Sequence, residues 1–294
     1  MATDDAVEAL PITLAVCSNR PDQLAALWSA VRGVVADGDH VLVVVDTPDA
    51  PRSLLDRLVS DGVRVLVNEA NMGLAFSRNR VLKECQTRHV LYVDDDIRFT
   101  ARDVERVRQA MRHGLDVIGA RITARFGAVP IPWYLSAGQL HYLGSHSPVH
   151  AASVWGGFFG MDVERVRLLG VGFDERLGRV GRSLASAEDT TFVREVCRKG
   201  ASTAVLECMD VAHLIYPART RLGYLLRRAF WQGRSEQRRG DAWRGFCKEV
   251  RRNWRCDGSL VRRGMLTALY MCAVTAGILR EVAERDRTGR GVRA

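Results

Sequence analysis

The sequence predicts an α/β fold on a mostly parallel central sheet, and three observations carry that prediction. Short β-branched apolar runs alternate with stretches whose apolar residues recur at helical spacing, through roughly the first 95 residues. The connections between them hold turn residues, such as Asp37-Gly38-Asp39 and Asp61-Gly62. Three consecutive acids, Asp94, Asp95 and Asp96, follow one of the runs directly. Open α/β sheets bind their ligands at that place, outside the carboxyl ends of strands.

In order along the chain, residues 12–16 (ITLAV) read as a buried strand. A polar loop follows and ends in Pro21, which suits a first helical turn. Leu24, Leu27, Trp28, Val31, Val34 and Val35 mark one face of the next helix. Residues 41–45 form a second strand that ends at Asp46, and Leu54, Leu55, Leu58 and Val59 mark a short helix after a Pro-rich loop. Residues 63–67 are the third strand. Leu74, Ser77, Val81, Leu82 and Cys85 set the following helix, and residues 89–93 the fourth strand. The order β-α-β-α-β-α-β is doubly wound and puts Asp46 and Asp94 on one rim.

An isolated acid triplet can be a solvated turn, here leading to a helix capped by Thr100. Three carboxylates at a strand end also suit a divalent cation carrying a nucleoside diphosphate, because hard oxygen ligands favour Mg²⁺ or Mn²⁺. Arg78 and Asn79 lie on the helix behind the Asn71-Met72-Gly73 turn, where a guanidinium can reach a phosphate or a base. No GxGxxG follows the first strand and no Walker A motif occurs, which argues against a dinucleotide or P-loop site.

Val104, Val107 and Met111 mark a helix that leads to a strand at 115–120. Periodicity then fails over 123–153, a stretch with Trp133, Tyr134, His141, Tyr142, His146 and His150. Its length and aromatic content suit a cover over a binding site, and its irregular histidine spacing argues against zinc. Residues 154–161 (VWGGFFGM) read as a strand in which Gly156 and Gly157 leave room for close approach. A short helix at 162–169 and a loop at 170–177 follow. In 187–200 (AEDTTFVREVCRKG), Phe192, Val193, Val196 and Cys197 form a buried helical stripe that Gly200 stops. Glu188 and Asp189 open this helix, either complementing its dipole or presenting a carboxylate base to the rim. Two strands, 202–206 and 209–214, come next, and His213 in the second reads on its own as a core residue. Beyond Pro217 the chain is helical and basic, with a turn-like Gln232-Gly233-Arg234-Ser235 and a last helix over 259–284. That helix packs on the main domain or lies against a membrane surface, and residues 285–294 read as frayed.

At 294 residues, the sequence divides into a catalytic-type domain, 1–218, and a basic helical segment packed on it, 219–294. Of 43 Lys/Arg and 34 Asp/Glu, residues 219–294 hold 19 and 7, so the net charge of +9 belongs to the C-terminal part. Such a segment meets nucleic acid, an anionic membrane face or an acidic ligand, or it is a solvated face of Arg-rich helices. Seven scattered cysteines without a CxxC pair argue for reduced thiols in a cytosolic protein. The acidic start, MATDDAVEALP, lacks the basic and apolar regions of a signal peptide, and no run of about 18 uninterrupted apolar residues predicts a spanning helix.

These marks, in order, resemble the GT-A glycosyltransferases of family 2, which are inverting enzymes that use nucleotide-diphospho-sugars. The marks are SNRPDQL after the first strand, VVVD ending the second, NMGLAFSRNR, YVDDD, WGGFFGMD, GFDERL, AED and a downstream His, and they cover roughly residues 12–235. The resemblance implies a GT-A, Rossmann-like sheet flanked by helices. It assigns nucleotide-side contacts to Ser18, Arg20, Asp46, Arg78, Asp94, Asp95 and, from the C-terminal segment, Arg234. It assigns metal contacts for Mn²⁺ or Mg²⁺ to Asp96 and His213, acceptor contacts to Trp155, Gly156, Gly157 and Glu188, and the base to Asp189. The sequence departs from the family at Thr47-Pro48-Asp49, where Asp-Gly-Ser usually follows the acid, and at Ser77, where Ala is usual. A UDP-sugar is the default donor, ahead of GDP or dTDP. The acceptor is a small molecule, a lipid-linked intermediate or a glycan, and nucleic acid is not an expected partner. Location in the cytoplasm is expected, with peripheral contact at the inner membrane face through the C-terminal segment. The composition suggests a GC-rich bacterium, and natural-product or cell-envelope glycan biosynthesis.

Two other readings compete. A sugar-phosphate nucleotidyltransferase would carry a Gly-rich signature near the first strand, and residues 15–20 have none. A non-catalytic protein that binds nucleic acid or a membrane surface through its basic segment would show steep salt dependence.

Overall fold

The apolar runs of the first 93 residues assemble as their spacing predicts. The computed structural model describes residues 10–146, 153–255 and 258–290, so His150 and the N-terminal stretch read above lie outside the described residues. Strands β1 (Ile12–Ser18), β2 (His40–Val45), β3 (Arg64–Val67) and β4 (His89–Val93) pair in parallel, in the spatial order β3-β2-β1-β4. Helices α1 (Pro21–Val31), α2 (Arg52–Ser60) and α3 (Leu74–Glu84) make the crossovers. Every residue of β4 is buried, as expected of a strand covered on both faces. Leu24, Leu27, Trp28 and Val31 of α1 pack on one side of the sheet, and Ala75, Val81 and Leu82 of α3 on the other.

The second half of the sheet is mixed. Beyond β4 the order continues β7 (Phe158–Asp162), β6 (Val117–Arg125), β8 (Thr203–Leu214), β5 (Ile97–Arg98). β7 runs antiparallel to both β4 and β6, and β6 and β8 are parallel. Helix α4 (Ala101–Arg112) begins at the expected Thr100 cap, where Asp103 Oδ2 accepts from the Thr100 amide at 2.9 Å. Helices α5 (Val163–Leu168) and α6 (Glu188–Arg198) complete the domain, and Gly200 closes α6 at φ +88°. Three readings are corrected here. The strand expected at 154–161 starts only at Phe158, which leaves Gly156 and Gly157 in the loop before it. The two strands expected at 202–206 and 209–214 are one, β8, with a register shift opposite Ala120/Arg121. The two-residue β5 had no signal in the sequence.

The C-terminal segment is three helices, α7 (Leu222–Arg238), α8 (Ala242–Trp254) and α9 (Leu260–Arg290). They share a third core, in which Leu225, Leu266, Tyr270 and Val274 meet Leu135 and Tyr142 from the 123–153 stretch. The expected turn at 232–235 is a correction: it lies inside α7. Gly233 is there because α9 crosses at that point; an added Cβ would sit 2.0 Å from the Val274 carbonyl oxygen. Gly277 answers from α9, 1.9 Å from the Phe230 carbonyl by the same construction. Much of the segment's basicity is matched inside it, through Arg238–Glu281, Arg239–Glu236 and Arg252–Glu249. Glu249 is fully buried, 2.6 Å from His141 Nε2 of a 3₁₀ helix (Ala137–Leu143). By length and composition, Leu260–Arg287 of α9 is long and apolar enough to cross a membrane, which a search for uninterrupted apolar runs missed.

Candidate active site

Every predicted site residue except Arg234 lines one cleft of about 420 Å³ at the carboxyl ends of β1, β2 and β4. A larger hollow, about 620 Å³, lies at the amino ends of β1 and β2 and holds none of them. The topology of open sheets favours the first.

Arg78 is the centre of the cleft. It is 2 % exposed, and three groups that converge from distant parts of the chain hold it. Its Nη1 meets Glu188 Oε1 at 3.0 Å, and its Nη2 meets Asp94 Oδ1 at 3.1 Å and the Gly156 carbonyl at 2.8 Å. The guanidinium also lies over the rings of Phe159 and Phe173. Burial works against its charge, but Asp94 and Glu188 outweigh that and raise its pKa. This contact accounts for Gly156: a Cβ there would fall 2.6 Å from the Arg78 Nη atoms. Gly157 is constrained too, since its Cβ would meet Ile122 Cδ1 at 3.0 Å.

The three acids differ in their surroundings. The Asp94 side chain is the most open of them, at 36 %, and burial raises its pKa. Asp95 accepts from Ser18 Oγ and from Arg20, yet burial lifts its pKa to about 6. Asp96 is buried as deeply, but His213, Arg219 and Arg20 outweigh burial and hold it well below the usual carboxylate range. Asp46 is turned toward the loop that follows β3. Its Oδ1 accepts from Asn68 Nδ2 at 2.6 Å and the Met72 amide at 2.8 Å, and its Oδ2 from the Gly73 amide at 2.9 Å. Asp46 therefore shapes the Asn71–Gly73 turn as well as lining the cleft.

Asp96 Oδ1 and His213 Nε2 lie 3.1 Å apart. That spacing suits two ligands of one ion held at about 2.1 Å each. Among the described residues, no group of three His, Cys, Asp or Glu could hold a metal ion. A divalent cation bound by this pair would complete its shell from phosphate and water, as Mg²⁺ usually does. Arg219 spans the same pair, with Nη2 at 2.6 Å from Asp96 Oδ2 and Nη1 at 2.8 Å from His213 Nε2.

On the opposite wall, the chain enters α6 through Ala187 at φ +82°, the one positive-φ residue other than glycine among the described residues. A left-handed alanine costs about 1–2 kcal/mol and marks backbone held in place by its surroundings. The turn brings Glu188 and Asp189 to the cleft. Asp189 Oδ2 accepts from the Gly156 amide at 2.7 Å and Oδ1 from the Thr190 amide at 2.6 Å. Glu188 Oε2 is buried without a partner, and burial, then the Asp189 charge, raise the pKa of Glu188 to about 7. Trp155 stacks on His146 at 4.1 Å, and burial pushes the pKa of His146 down to about 4. His146 therefore stands as a neutral imidazole behind an aromatic wall, with its Nδ1 accepting from the Ile122 amide at 2.9 Å and its Nε2 at 2.8 Å from the Ser153 carbonyl.

Arg234 is not brought to the cleft. Its guanidinium pairs with Glu281 and Glu284 of α9 and lies over Trp231, so it joins helices instead of meeting a ligand. The arginines that do line the cleft from the later chain are Arg179, Arg219 and Arg228, which sequence reasoning missed. Position offered a signal for Arg219, which follows closely on the strand that ends at Leu214; in an Arg-rich segment nothing singled out Arg228.

Residues 14–164 match the family model described as Glycosyl transferase family 2. No curated protein matches the chain in sequence. Among solved structures, S. aureus TarS 1-349 in complex with UDP-GlcNAc is similar, with a TM-score of 0.54 and 14 % identity over 90 % of this chain and 72 % of that one. The mannosyltransferase PcManGT from Pyrobaculum calidifontis, in complex with GDP-Man and Mn²⁺, gives 0.56 and 13 % over 96 % and 79 %. At that identity the likeness is one of fold, and the fold is GT-A.

Proposed function

The chain belongs to glycosyl transferase family 2, and from that premise we propose that it moves a sugar from a UDP-sugar to an acceptor hydroxyl or amine, with inversion and with Mg²⁺ or Mn²⁺. The observation that carries the reading is the convergence of Asp94, Glu188 and the Gly156 carbonyl on the buried Arg78. One guanidinium thereby ties the acid cluster at the strand ends to the carboxylate pair at the start of α6.

In this reading the nucleoside lies along the Ser18, Arg20 and Asp46 rim, and the diphosphate points toward Asp96 and His213. Asp96 and His213 would hold the metal, which when bound supplies Lewis-acid neutralisation of the leaving diphosphate. Arg219 stands beside both groups and offers a second, fixed positive charge to the same oxygens. Asp189 accepts the acceptor's proton as the acceptor oxygen or nitrogen bonds to the anomeric carbon. The bond from that carbon to the diphosphate oxygen breaks on the opposite face, which inverts the centre. The amides of Gly156 and Thr190 fix the Asp189 carboxylate before the acceptor arrives. We place the chain in the cytoplasm, with its six described cysteines free, in natural-product or cell-envelope glycan synthesis of a bacterium.

The test is hydrolysis of a nucleotide-sugar panel without acceptor, with and without Mn²⁺ or Mg²⁺. The expected result is slow, metal-dependent release of one nucleoside diphosphate that is lost in Asp96→Ala. No release from any donor, together with no thermal shift by any nucleoside diphosphate plus metal, would overturn the reading.

A further inference from the structure

A second cavity, of about 110 Å³, adjoins the cleft on the Asp189 side and shares Trp155, Asp189 and Arg228 with it. Four cations line it: Arg228, Arg239, Lys248 and Arg252. Apart from Asp189, its only carboxylate is Glu236, which Gln232 and Arg239 already engage. Arg252 is matched by Glu249 at 3.1 Å. Arg228 and Lys248 are left without a carboxylate partner among the described residues.

Arg228 is the more telling. It is 5 % exposed, and its Nε and Nη1 donate only to the Tyr142 and Leu184 carbonyls. No carboxylate pairs with it among the described residues, and its Nη2 has no hydrogen-bond partner there. Burial, with Arg179 close by, pulls its pKa down to about 10. A buried guanidinium without a counter-charge is a standing cost to the fold, which a bound anion would relieve. Arg239 adds an independent sign: its Nη atoms meet Glu236 at 3.2 Å and Asp241 at 3.6 Å, but its side chain is 10 % exposed and its Nε is buried with no acceptor among the described residues. Lys248, exposed to solvent, has no hydrogen-bond or ion-pair partner among the described residues.

We infer that this cavity is an anion-binding subsite of the acceptor, so that the group glycosylated beside Asp189 belongs to a molecule carrying a phosphate or carboxylate. The inference rests on the glycosyltransferase reading and names its substrate class. The cavity lies on the side of the base, so an anion seated on Arg228 and Arg239 would present a neighbouring hydroxyl or amine to Asp189 while the donor fills the main cleft.

Titration calorimetry on protein saturated with UDP or GDP tests this, with glycerol phosphate and glucuronate as anionic probes and glycerol and glucose as neutral ones. The anions should bind at least about ten-fold more tightly than their neutral counterparts. Arg239→Gln and Lys248→Ala should each weaken the anions about ten-fold and leave nucleotide affinity within about two-fold. Lys248→Ala removes a solvent-exposed, unpartnered side chain, so its result does not depend on a fragile fold. Equal binding of charged and neutral probes, or an anion that simply competes with the nucleotide, would overturn the inference; competition would assign these cations to the donor diphosphate. Which of the two anionic probes binds separates phosphate from carboxylate acceptors. If neither nucleotide binds at all, the transferase reading fails first and the acceptor subsite fails with it.

Discussion

Replacing Glu188 with glutamine should change how stability responds to pH, within a window that the structure sets. Glu188 is buried at the start of α6, and its Oε2 has no partner. Burial, then the Asp189 charge, raise its pKa from 4.5 to about 7, and Arg78 offsets only part of this. A carboxyl whose folded pKa lies above its unfolded value favours the fold in its protonated form. Its contribution is therefore complete below about pH 4.5 and is lost as pH rises through about 7. At roughly 1.4 kcal/mol per pKa unit, the loss is about 3 kcal/mol. In Glu188→Gln the side chain has no proton to lose, and its amide oxygen could keep the bond from Arg78. Urea denaturation of both proteins across that range gives the difference between them, in which the other titrating groups largely cancel. The variant should gain on the wild type by about 3 kcal/mol between about pH 4.5 and pH 8, with most of the gain complete by pH 7. A difference that stays flat would show that Glu188 titrates like an exposed carboxylate, and would refute the reasoning.

Asp189→Asn should lower the transfer rate by about 10²–10⁴-fold and leave nucleotide affinity unchanged, as measured by steady-state kinetics and calorimetry; near-normal turnover would mean another group is the base. Gly277→Ala places a methyl against the Phe230 carbonyl, where neither backbone can give way, and should cost about 2 kcal/mol or more in urea denaturation. A loss under about 0.5 kcal/mol would mean that α7 and α9 are not in close backbone contact. Arg78→Lys leaves one ammonium to serve Glu188, Asp94 and the Gly156 carbonyl together. It should destabilise the protein by about 3 kcal/mol or more, and a variant with wild-type stability would deny Arg78 its place at the centre of the site.

The parallel half of the sheet was legible because its signals are local. Apolar runs at strand and helix spacing predicted β1 to β4 with their crossovers, and three acids after a strand mark a rim wherever the sheet is parallel. The later half of the chain was less legible, because its determinants are long-range. Gly233 reads as a helix breaker in isolation, and only the partner helix explains it. Arg234 and Arg228 are six residues apart on α7 in the same basic stretch, yet one joins two helices and the other faces a cavity; no pattern along the chain separates them. Glu207 and Cys208 interrupt the apolar pattern of β8 because they are exposed next to a register shift, so one strand looked like two. The left-handed Ala187 left no trace in the sequence, since it is a residue type that ordinarily avoids that conformation.

The reversal of β7 bears on how such a molecule can change over time. Because β7 is antiparallel to β4, Phe158 pairs with Val93, and the Asp94 amide donates to the Gly157 carbonyl at 3.0 Å. The end of the 126–157 connection is thus stitched to the acid cluster by sheet pairing, whatever path the chain takes on the way there. Insertions or deletions upstream of Trp155 can therefore accumulate without moving Asp94, Gly156 or the Arg78 guanidinium between them. A lineage built on this scaffold is free to vary one loop and the helices packed against it, while the acid cluster and the sheet that carries it are inherited intact.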